Sequence, residues 1–150
     1  MTPPPPATLP NTVAWLGYGG LFPFVALALV SLLDRSQILP WREALLAYGA
    51  VILSFVGALH WSFGMTLPDL SPRQRHLCFA WSVAPALLAW VTLLIPPTEA
   101  SALLVVGFLM HYWQDRRLVS LARLPAWYLP LRLRLTSVAC LSLLMGSVVI

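Results

Sequence analysis

Lysine is missing from this sequence, and charge of either sign is scarce. Only 9% of the 150 residues are charged, against 59% hydrophobic, whereas a soluble domain carries about a quarter charged residues. So few polar side chains cannot cover a water-soluble globule. The scarcity also speaks against a nucleic-acid binder, despite a pI near 9.7, because such a surface needs a solvated basic face with aromatic or polar readers. All nine basic residues are arginines, and they fall in the connections between apolar runs. Cysteine is nearly absent. Cys78 and Cys140 stand far apart, with no CxxC or metal-ligand spacing, and read as small apolar packers. No P-loop, GxSxG, HExxH or paired-carboxylate motif occurs, so the sequence points to no catalytic residue, metal centre or cofactor.

What the sequence does contain is a series of apolar runs long enough to cross ~30 Å of hydrocarbon as helices rising ~1.5 Å per residue. An all-α integral membrane bundle of five transmembrane helices is expected, over 13–33, 44–65, 77–95, 100–113 and 135–150. Residues 1–12, "MTPPPPATLPNT", read as an extended proline-rich tail, with Asn11 or Thr12 able to cap the first helix. The tail carries no basic residue, so the first run reads as a retained span and not as a signal peptide. The fourth run is short for a crossing, and a basic interfacial loop is expected over 114–134.

Five spans leave the ends on opposite sides. Arg73, Arg75, Arg116, Arg117, Arg123, Arg132 and Arg134 then share the side of the amino terminus, against Arg35 and Arg42 on the other. Arginine-rich loops stay in the cytoplasm, which places the amino terminus there and the carboxy terminus outside. Within the 114–134 loop, Arg116, Arg117, Arg123, Arg132 and Arg134 are candidates for contact with anionic lipid at the cytoplasmic face, each worth about 1 kcal/mol near such a surface.

This topology gathers the unusual residues into one leaflet. His60, in "GALHWSFGM", lies in the cytoplasmic half of the second span, and His111 and Tyr112 lie at the same end of the fourth. Trp81 begins the third span on that side. Pro23 and Pro85 each remove a helical hydrogen bond, so the first and third spans are expected to bend there and to leave room for a cleft. The simplest reading of His60 is a neutral packing residue bonded to a neighbouring helix. Its functional reading is a ligand-binding or proton-handling group, since ionisable side chains in a membrane are costly. The candidate ligand-binding set is His60, Trp61, Trp81, His111 and Tyr112. For His111 and Tyr112 an interfacial aromatic belt is the simpler reading, and Asp115 beside Arg116 and Arg117 reads as a helix-end charge cluster.

The stretches "WLGYGGLFPFVALAL", "LLAYGAVILSFVGALHWSFGM", "WSVAPALLAWVTLLIPP" and "LPAWYLPLRLRLT" resemble a family known as domain of unknown function 3429, the transmembrane protein 69-like small polytopic membrane proteins. The likeness runs from about 13 to 147 in the same order of motifs, most specifically in "HW" and "PAWYLPLR". It implies a polytopic inner-membrane protein and brings no activity or catalytic residue. With no arginine-rich leader in the tail, a bacterial inner (cytoplasmic) membrane is expected.

Two functions of different class fit. The first is a non-enzymatic accessory or scaffold that packs against a membrane-protein partner through glycine-bearing faces. The second is a cytoplasmic-leaflet site for quinone, lipid or another amphiphile around His60. A haem held between His60 and His111 has the weakest support, and a transporter would put its site at the midplane between repeated halves, which are not seen here.

Overall fold

The computed structural model describes residues 8–148. The element order is α1 (Asn11–Gly19), α2 (Phe22–Leu33), a short 3-10 turn at Arg35–Gln37, α3 (Ile38–Thr66), α4 (Pro72–Thr92), α5 (Pro97–Leu121) and α6 (Tyr128–Val148). Among the described residues there is no strand. Since α1 and α2 run on from one another, these helices make five rods, as expected. Three segments, Asn11–Leu33, Arg35–Thr66 and Tyr128–Val148, are long and apolar enough to cross a membrane. α4 and α5 have 21 and 25 residues, and apart from Glu99 their charged residues gather at one end.

The first rod breaks where the sequence weakens it. Gly19, Gly20 and Pro23 interrupt the helical ladder, and Pro23 stands in the first turn of α2, where it needs no N–H partner. Tyr48 of α3 donates to the carbonyl of Gly20 at 2.7 Å, supplying a donor that lipid cannot. At Pro85 the third rod does not break, because α4 runs as one helix through it. The first helix starts at Asn11, with Pro10 as the preceding residue and no side-chain cap, so the expected Asn11 or Thr12 cap is not formed. Residues 1–7 of the expected tail lie outside the described residues.

α5 corrects another boundary. It continues to Leu121, and α6 begins at Tyr128, so the expected 114–134 loop shrinks to 122–127. The run "QDRRLVSL" has good helix formers and no proline, and Pro130 sits within the first turn of α6, where proline is tolerated. At 25 residues, α5 is roughly 37 Å long, ample for a crossing. α4 starts with a capping box in which Gln74 N–H donates to Ser71 Oγ and Ser71 N–H donates to Gln74 Oε1 at 2.8 Å.

The rods close into a ring in the order α2, α6, α5, α4, α3, with α3 also touching α5 and α6 across it. The apolar core joins Phe24, Leu45, Leu53, Leu104, Phe108 and Leu143. Glycines permit the close approaches. A Cβ on Gly57 would come within 2.8 Å of the Pro85 ring, and one on Gly107 within 2.8 Å of Leu53. The faces that carry these glycines are thus filled by the chain's own helices. Leu16, Phe22, Leu33, Phe55 and Leu94 are exposed, an outer surface suited to lipid.

Two contacts establish which loops share an end. Arg123 N–H donates to Asp69 at 3.1 Å, and Arg134 donates to the Tyr18 hydroxyl at 3.1 Å. Connections 67–71 and 122–127 therefore lie together, beside α1, and the remaining two connections lie at the far end.

Candidate functional site

Near the end that carries these loops, α3, α5 and α6 each turn polar side chains into the core. His111 and Asp115 are four residues apart and share one face of α5, as Tyr128, Arg132 and Thr136 do on α6. Asp115, His60 and His111 are wholly buried. Asp115 is the hub. Its Oδ2 accepts from Arg132 Nε at 2.8 Å, and its Oδ1 accepts from the Tyr128 hydroxyl at 3.1 Å and from His60 Nε2 at 2.9 Å. His111 Nε2 lies 3.7 Å from the same oxygen. Three helices are tied to one carboxylate.

The hydrogen bonds assign the tautomers. An ionised carboxylate only accepts, so His60 donates from Nε2. Trp81 of α4 donates from Nε1 to His111 Nδ1 at 3.0 Å, which puts the His111 proton on Nε2, toward Asp115. His111 is neutral in this arrangement because its Nδ1 accepts, and Arg132 is the counter-ion of Asp115. Phe63 and Tyr128 meet edge to face at 5.7 Å, and Phe63 also leans on His60 at 5.6 Å. A small apolar cluster of Leu70, Cys78, Leu118 and Ala122 packs at the same end.

Of the residues expected to bind a ligand, His60, Trp81 and His111 come together. Trp61 does not join them; it is 52% exposed and packs on Phe79. Tyr112 is partly buried one residue around α5 and stays outside the cluster. Among the arginines grouped as lipid contacts, Arg116, Arg117, Arg123 and Arg134 are exposed, with Arg117 over the Trp113 ring at 4.8 Å. Arg132 is the exception. It is buried on Asp115, because the first turns of α6 rotate it inward. Asp115 and Tyr128, the residues that organise the site, were not among the expected set. The signal for them was the spacing of four to His111 and to Arg132.

His60, His111 and Asp115 each offer an atom within 4.8 Å of the others, the donor types of a transition-metal site. The hydrogen bonds disfavour that use. A metal-bound imidazole donates from its second nitrogen, whereas His111 Nδ1 accepts from Trp81. Nor do the histidines frame a haem: their rings are 5.0 Å apart, centre to centre, and both lean on one carboxylate, which leaves no gap for a porphyrin. What the arrangement does is hold helices in register.

A family model described as "Protein of unknown function (DUF3429)" matches residues 9–148. Transmembrane protein 69 of Xenopus tropicalis is 37% identical over 145 residues, covering 93% of this chain and 54% of that protein. Transmembrane protein 69 of Mus musculus is 31% identical over 136 residues, covering 89% and 54%. The chain thus spans about half the length of the curated relatives it matches. No solved structure matches. With nearly its whole length matched, this chain belongs to the DUF3429 family of proteins of unknown function.

Proposed function

We propose that the chain is a non-enzymatic accessory component, a scaffold for another membrane protein, in a bacterial inner membrane. The observation that carries this reading is the closure of the Asp115 cluster. Its carboxylate is wholly buried and accepts from His60, Tyr128 and Arg132, with His111 3.7 Å away, which gives a rigid frame and keeps the acid and both histidines out of reach of a substrate. The arginine-rich end, with Arg73, Arg116, Arg117, Arg123 and Arg134 exposed, faces the cytoplasm and its anionic headgroups.

The partner's place is the groove of about 400 Å³ between α4 and α5, where Gln74, Gln114 and Arg117 interrupt a lining of Leu77, Trp113 and Leu121. Isolated amides on an apolar helix face are the side chains that hold helices together in lipid. The test is purification in mild detergent of wild type and Ala80→Trp, which fills the groove. One membrane protein at a stoichiometric ratio is expected with wild type and absent from the variant. A folded wild type that comes out alone, or a partner retained equally by both, sinks the reading. An amphiphile directly around His60 finds no support in this geometry, because His60 is sealed and Trp61 faces outward.

A further inference from the structure

A second cleft, of about 110 Å³, lies where the first rod breaks, between α1, α2, α3, α5 and α6. Gly17, Phe24, Phe55 and Phe108 form its apolar walls, and Arg132 and Thr136 line it from α6. These two are 6% and 3% exposed, and each keeps a buried polar atom, Nη2 and Oγ1, with no partner among the described residues. They stand one helical turn apart, so both can serve one guest. Leu16 and Phe55, at the edge of the cleft, are exposed on the outer face, so the guest arrives from the bilayer.

We propose that this cleft binds a neutral amphiphile with a carbonyl-bearing head, accepting from Arg132 Nη2 and Thr136 Oγ1. The donors ask for an acceptor oxygen, since an unpaired buried donor costs about 1–3 kcal/mol. Charge selects the kind of acceptor. Arg132 is already neutralised by Asp115 through Nε at 2.8 Å, so an anionic head would be buried without a counter-ion. Three phenylalanine rings suit a planar or acyl body. A quinone ring and an acyl ester share this chemistry. The site shares no residue with the α4–α5 groove and does not depend on the scaffold reading.

The experiment uses the full chain in detergent and reads ligand-dependent melting with decylubiquinone, monoolein and laurate, for wild type, Thr136→Val and Gly17→Leu. Thr136→Val removes only a hydroxyl, and a Cβ at Gly17 meets its nearest atom, a Leu135 methyl, at an ordinary 3.6 Å, with the rest of the leucine directed to the cleft, so both variants should fold. A saturable rise in wild-type melting temperature is expected with decylubiquinone or monoolein. Loss of the single hydrogen bond in Thr136→Val should weaken binding about tenfold, and Gly17→Leu should abolish it. Whichever neutral ligand binds more tightly identifies the head as ring or ester. No saturable rise with either, which leaves water alone on the donors, overturns the proposal. So does equal binding by both variants, or a preference for laurate.

Discussion

Near the loops 67–71 and 122–127, Asp115 draws donors from α3 and α6 while Trp81 of α4 reaches His111. Toward the other end the same helices meet through Leu45, Leu104 and Leu143, with a single-residue tie from Ser101 Oγ to the Leu143 carbonyl at 2.9 Å. The difference matters because lipid is as apolar as leucine. Without a hydrophobic drive between helices, the leucine end relies on shape and dispersion, which tolerate small shifts. The carboxylate end tolerates none, since a slip strands a charge. One end supplies contact area and the other supplies register.

Removing one partner of the charge pair is the strongest way to break this contrast. Asp115→Leu leaves Arg132 buried and unpaired, and should cost about 3–5 kcal/mol. The double variant Asp115→Leu with Arg132→Leu should melt above either single variant, as followed by helical signal in detergent. A double variant no better than the worse single one would mean that the two do not act as a pair.

A smaller effect is expected where close packing, not charge, sets the fit. A methyl on Gly57 meets the Pro85 ring at 2.8 Å, so Gly57→Ala should cost about 1–3 kcal/mol by overpacking. Adding Pro85→Ala should recover part of it, and a double-mutant cycle of melting free energies measures the coupling. Strict additivity would show that the two helices had moved apart.

The smallest effect belongs to the turn after α2, outside the bundle core. Asp34 is held below its ordinary pKa of 3.8 by hydrogen bonds from the Ser36 hydroxyl and then from the Trp41 indole. A depressed carboxylate contributes stability above its unfolded pKa and loses it as pH falls through the folded one. Titrating wild type against Asp34→Asn downward from neutral should therefore leave their melting temperatures parallel until about pH 4. They should then converge slightly. Convergence beginning at higher pH would assign the titration to another group.

The five rods were legible in the sequence because long apolar runs separated by proline and charge admit few other readings. The one-sided gathering of polar residues was legible too, and His60, His111 and Trp81 do meet. The hub was harder to see. Asp115 precedes Arg116 and Arg117, so adjacency along the chain suggested a solvated cluster, whereas helical rotation sends Asp115 inward and both arginines outward. Arg132 was hidden in the same way, among leucines and between Pro130 and Arg134. Adjacency was a poor guide at both places, and the period of four was the better one. The glycine faces were misleading for a related reason: a sequence shows that a face is small, but not whether the chain's own helices fill it.

Splitting the charge pair between two successive helices also makes the last helix the one that completes the polar cluster. Asp115 and Arg132 stand 17 residues apart in the chain, and Asp115 lies six residues from the end of α5, roughly 9 Å along the axis. At that depth the carboxylate can stay hydrated at the surface until α6 arrives and draws it in. A bundle without α6 therefore carries an acid without its counter-ion, so α6 is the helix on which the stability of the other four depends.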